Sequence, residues 1–122
     1  MPLAEPGLVD RQERFTRYVG LLIDYAYSRG WTLTFADAYR DPAYHPLAKL
    51  GSGALSCHAN RLAVDLNLRL KPGDPHLVTE AHSAWTALGT YWKSLDPLCA
   101  WGGDFPGLVD LNHFSITYAG VK

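Results

Sequence analysis

The sequence is short of most features that would place a chain in a special class. Two cysteines in 122 residues, Cys57 and Cys99, are too few for a disulfide scaffold. The expectation is two reduced, buried thiols, with a disulfide between them or a thiolate ligand as the alternatives. Neither sign of charge is in excess: 11 basic against 12 acidic residues give a formal net charge of -1. That removes the electrostatic case for a nucleic acid or an anionic membrane surface as partner. No apolar run approaches the ~18 residues that would suggest a membrane span. The opening stretch Met1-Pro2-Leu3-Ala4-Glu5-Pro6 lacks a basic segment followed by an apolar one, so it does not read as a secretory signal, and the expected location is the cytoplasm. There is no internal repeat, no low-complexity tract and no His-Glu-x-x-His helix motif. What remains, at 48% hydrophobic, is ordinary globular composition, enough for a single domain over residues 1–122 with one core.

Periodicity then orders the chain. After a loose lead-in over residues 1–7, Asp10 is the expected N-cap of a first helix, with Glu13 as its capping-box partner. Phe15, Tyr18, Val19, Leu22, Ile23 and Ala26 form its apolar face, and Gly30 ends it. Trp31 to Phe35 alternates as a strand whose end delivers Tyr39-Arg40 to a loop. Residues 42–57 read as a long irregular connection of the kind that serves as a binding loop. Leu62 to Leu68 is a second strand. Asp74-Pro75 suits the start of a second helix with the stripe Val78, Ala81, Trp85, Leu88, Trp92 and Leu95, ended by Asp96-Pro97. Leu98 to Gly107 reads as a glycine-containing loop and Asn112 to Tyr118 as a last strand. The fold class expected is α+β, a small antiparallel sheet with helices packed on one side.

The chemistry gathers around the second strand. Its period-2 polarity places Asp65 on one face of an otherwise apolar run, and a carboxylate buried there needs a cation, hydrogen bonds or water. His58, seven residues earlier, and His113, far downstream, supply imidazoles, and His58, Asp65 and His113 make a ligand set of the type that holds a catalytic zinc and leaves one position for water. Imidazoles favour zinc over calcium or magnesium, which prefer oxygen alone. Asp110, three residues before His113, is the candidate base for that water; Asp104 is its rival, more suited to a structural hydrogen bond. Arg40 reads either as a guanidinium that holds substrate or polarises a carbonyl, or as a surface residue paired with Asp37 or Asp41. Ser56 is placed to orient a ligand or touch substrate, and Trp101 and Phe105 to wall a groove beside Gly102-Gly103. Tyr44 and His45 lie in the long loop, within reach of a substrate, with His45 in solvent the favoured reading, and His76 and His82 read as surface or helix-packing residues.

Ser56-x-His58 followed by Asp65, then Trp101-Gly102-Gly103-Asp104-Phe105, then Asp110-x-x-His113-Phe114, resembles the zinc D,D-carboxypeptidase and L-alanyl-D-glutamate endopeptidase family, which includes phage endolysins. The resemblance covers roughly residues 8–118. It implies the D-Ala-D-Ala carboxypeptidase, hedgehog-like fold, zinc held by His58, Asp65 and His113, Asp110 as catalytic base and Arg40 of the Tyr39-Arg40 pair as a substrate-holding group. It further implies a peptidoglycan stem peptide as substrate, and a monomeric, phage-type lytic enzyme that leaves the cytoplasm through a membrane lesion made by another protein. Arg61 departs from the pattern, because the family usually has glycine there, where glycine allows a backbone shape that arginine adopts only at a cost. That departure supports an alternative: a non-catalytic, zinc-stabilised module that binds wall peptides or another protein.

Overall fold

The computed structural model describes residues 6–122, so most of the expected lead-in lies outside the described residues. Helix α1 spans Leu8–Ser28 and β1 Thr32–Phe35, then β2 spans Ala63–Arg69 and helix α2 Ser83–Leu95, with β3 at Cys99–Trp101 and β4 at His113–Ile116. The four strands form one sheet in the order β1-β2-β4-β3, every neighbouring pair antiparallel. This is the α+β arrangement expected, with one strand more than the sequence suggested.

Helix α1 starts ahead of the expected cap. Gly7, in extended conformation, occupies the N-cap without a side-chain bond, so Asp10 falls in the first turn and pairs instead with Arg14 one turn on, at 2.7 Å. A carboxylate there suits the positive end of the helix dipole. At the other end Gly30, at φ +81°, closes a Schellman motif in which Trp31 N–H donates to Ala26 O and Gly30 N–H to Tyr27 O.

Helix α2 is shorter than expected: its N-cap is His82, whose ring accepts from Ala84 N–H at 2.9 Å, and not Asp74. The segment between is claimed by the sheet. Val78 N–H donates to Leu68 O, the Val78 carbonyl accepts the Trp85 indole N–H, and Asp74 merely closes a turn onto His76 N–H. Val78 is therefore buried off the helix, and Ala81 is exposed rather than part of a stripe.

Strand register assigns the two faces of the sheet. Val64 lies opposite Phe114, and these with Leu66, Leu68 and Ile116 meet Phe15, Leu22 and Ala26 of α1 and Trp85, Leu88 and Trp92 of α2. Trp92 packs edge-on to both Phe15 and Phe114. Asp65 lies opposite His113, and since side chains alternate along a strand, this pair belongs to the other face. The helices thus leave one face of the sheet free for polar chemistry.

Candidate metal centre

His58 sits in a tight turn that the surrounding residues tie down. The Ser56 hydroxyl accepts from Ala59 N–H at 3.2 Å, Leu62 N–H donates to Cys57 O at 2.8 Å, and Arg61 N–H donates to His58 O at 3.2 Å. The last two bonds define a second Schellman motif, with Arg61 at the position that Gly30 holds in the first. Arg61 takes the required left-handed conformation, φ 56°, at a cost of about 1 kcal/mol relative to glycine. The turn shape that glycine would favour is kept with arginine in its place.

The segment that prolongs β1 runs beside this turn. Asp65 N–H donates to Asp37 O and Arg40 N–H to His58 O, while His58 Nδ1 lies 2.7 Å from Ala38 O. A carbonyl only accepts, so Nδ1 carries the proton and the Nε2 lone pair points inward. Nε2 is 3.4 Å from Asp65 Oδ1, which is in turn 3.3 Å from His113 Nδ1.

One donor atom from each of His58, Asp65 and His113 falls within 4.8 Å of the others, and all three residues are buried. Asp65 Oδ1 has no hydrogen bond despite its burial. Such an oxygen is costly in an apolar setting unless a cation satisfies it. Two imidazoles and a carboxylate, converging on one point with a buried orphan oxygen at the centre, fit a zinc ion by donor type and by number. Burial alone would raise the Asp65 pKa; protonated imidazoles of His113 and His58 facing it outweigh that and hold the carboxyl well below the usual carboxylate range.

Asp110 stands beside the three, its Oδ2 4.0 Å from His113 Nδ1 and its side chain 46% exposed. Burial, and then the negative charge of Asp65, push its pKa up, against the opposing pull of His113, His58 and Arg40. A half-exposed carboxyl with a raised pKa is the type that accepts and returns a proton. Arg40 lies across the site: its guanidinium bonds Asp37 at 3.2 Å and reaches to 3.6 Å from Asp65 Oδ2. The pairing with Asp37, one of the two acidic partners considered, holds the guanidinium beside Asp65. Beyond Asp110 opens a cleft of about 260 Å³ whose walls include Asn67, Val78, Thr79, Val109 and Asn112.

Trp101 is placed differently from expectation. It lies opposite Phe114 in the β3–β4 register and is buried, and it lines a recess with Lys93, Asp104 and Phe105 rather than the cleft beside Asp110. Instead it stacks beneath Gly89 and Gly103, and its indole N–H donates to Leu111 O at 2.8 Å. A three-residue strand carries little periodicity of its own, which is why the reading as loop missed it. Gly102 is the true close approach: a Cβ there would stand 2.0 Å from Asp110 O. Ser56 is buried, and its hydroxyl accepts from Ala59 N–H within the turn that carries His58. Phe105 is adjacent to the site, its ring 5.3 Å from that of His113. Asp104 bonds Lys93 at 2.6 Å and lies outside the cluster, as do His76, paired with Glu80, and His45, which accepts from Leu47 N–H. Cys57 and Cys99 are free and buried.

Among curated proteins no match is found. A family model described as D-alanyl-D-alanine carboxypeptidase matches residues 50–116, a span that holds all three metal-type ligands and Asp110. With more than half of its length matched, the chain belongs to the D-alanyl-D-alanine carboxypeptidase family of peptidases.

Proposed function

We propose that this protein is a zinc-dependent peptidase of peptidoglycan stem peptides, cutting either the L-Ala-D-Glu or the D-Ala-D-Ala bond, and that it serves in phage-type wall lysis after release from the cytoplasm. The observation that carries the reading is the buried, orphaned Asp65 Oδ1 between His58 Nε2 and His113 Nδ1, with the Asp110 carboxyl beside it. Zinc in such a site supplies a Lewis acid and a water whose pKa falls towards about 7.

The residues divide the work. His58, Asp65 and His113 hold the ion, and Ala38 O fixes the tautomer of His58. Asp110 takes the proton of the attacking water and returns it to the leaving amine, so no proton is lost over the cycle. Arg40 presents positive charge where the scissile carbonyl becomes an oxyanion. The cleft beyond Asp110 receives the peptide. The rival reading, a zinc-stabilised binding module, drew on Arg61; the retained turn weakens it, and a binder has no use for Asp110.

Peptidoglycan digested with zinc-loaded, chelator-stripped and zinc-restored protein, its fragments identified by mass, tests the proposal. Zinc-dependent release of new D-Glu N-termini or of terminal D-Ala is expected, and Asp110→Asn should lower kcat by about 10²–10⁴-fold while zinc stays bound. No cleavage by folded, zinc-bound wild type would leave the binding module as the function.

A further inference from the structure

Arg61 is an anomaly that the zinc chemistry leaves unused. The chain builds the same Schellman motif twice, with Gly30 in one and Arg61 in the other, so arginine sits where the backbone favours glycine. Strain retained next to a ligand points to a task for the side chain. That side chain is held in a defined place: its guanidinium lies over the Tyr39 ring, 4.0 Å from the centroid. Tyr39 is between Ala38 and Arg40, whose backbones touch His58, so the stack stands at the rim of the centre.

The charge there is also unspent. Arg40 is committed to Asp37 and Asp65, whereas Arg61 is exposed and makes no ion pair with a carboxylate among the described residues. A guanidinium fixed in plane by an aromatic ring presents its remaining N–H donors as a fork that matches a carboxylate.

We infer that Arg61, stacked on Tyr39, is a specificity-determining residue that selects peptides with a free carboxylate near the scissile bond. The inference rests on the peptidase reading for its substrate but not for its chemistry. Arg61 binds the carboxylate at the rim while the reacting carbonyl lies at the centre, so it acts through KM more than through kcat. A stem peptide offers such a group in two places, on the D-Glu residue and at the C-terminus, and either fits the fork.

Three synthetic stem peptides decide the matter: the parent, one with the D-Glu carboxylate converted to carboxamide, and one with the C-terminus converted. Wild type is expected to prefer the parent over one of the two by about tenfold in kcat/KM, equivalent to ~1.4 kcal/mol. R61G, which has the residue this backbone favours, should lose that preference by a rise in KM for the parent. R61K, charged but without the planar fork, should fall between, and added salt should erode the wild-type preference. Equal use of all three peptides by wild type, or an undiminished preference in R61G, overturns the inference. Should wild type cleave none of them, titration calorimetry of the zinc-loaded proteins with the same peptides takes over. A carboxylate preference in binding that R61G abolishes then sustains Arg61 while the peptidase reading fails, and its absence refutes both.

Discussion

Replacing Gly102 by alanine should disable the site without substituting any residue proposed to do chemistry. An added Cβ stands 2.0 Å from the carbonyl oxygen of Asp110 and 2.8 Å from His113 Cβ. Carbon and oxygen rest comfortably no nearer than about 3.3 Å, so the segment must retreat by about 1 Å. It has little freedom to do so. Asp110 N–H donates to Gly102 O at 2.9 Å, and Asp110 O accepts from His113 N–H at 3.2 Å, so the colliding carbonyl belongs to the turn that aims both side chains. Overpacking of this sort costs about 1–3 kcal/mol, and rigid backbone on the far side puts the cost near the top. At roughly 4 °C per kcal/mol for a chain of this size, melting should fall by about 10 °C. Displacement of a base and a ligand by about 1 Å should lower the rate by about 10²-fold. Circular dichroism melting and peptidoglycan hydrolysis of G102A read the two effects, with G51A as control, since nothing lies within 4 Å of a Cβ at Gly51. A G102A protein that melts and hydrolyses like wild type would refute the account of how Asp110 and His113 are held.

Three further outcomes follow from the same geometry. Asp96 accepts from Leu98 N–H, Tyr18 hydroxyl and Arg14, and these together outweigh its burial and lower its pKa, so its contribution is present above about pH 3.9, the unfolded value, and is lost as pH falls through the folded one. D96N should therefore cost about 1–2 kcal/mol at pH 7 in urea unfolding, and its deficit should shrink below about pH 4; a constant deficit would contradict the argument. Burial pushes both thiols up to about 12, so a thiol reagent at pH 8 should label Cys57 and Cys99 only in denaturant, and rapid labelling of the native protein would show the burial to be wrong. Zinc at about a hundred times its Kd should add ~2.7 kcal/mol to unfolding stability over chelator-treated protein, and an equal gain in D65N would remove Asp65 from the ligand set.

The metal-type ligands were legible because each sits in a local pattern that survives folding. Asp65 interrupts an alternating strand, His58 follows Ser56 in a turn, and His113 follows Asp110 at a fixed distance. The apolar face of α1 was legible for the same reason. What escaped depended on partners distant in sequence. Cys99–Trp101 becomes a strand only because β4 is beside it, and that pairing turns Trp101 towards α2. Asp74-Pro75 has good local helix-start chemistry, but Val78 N–H finds Leu68 O, and the helix waits for His82. Arg61 could be flagged as a departure from sequence, but that its backbone would follow glycine's path needed the hydrogen bonds of the turn.

The direct opposition of Asp65 and His113 across β2 and β4 has a consequence for folding fidelity. A strand shifted by one residue presents its other face, so a misaligned β4 would offer Phe114 to the polar side and bury His113 against the helices. An ion that demands both side chains at once can be held only by the correctly aligned pair. An ion held by both side chains would therefore also stabilise the native alignment of the sheet and withhold that stabilisation from its nearest wrong neighbour.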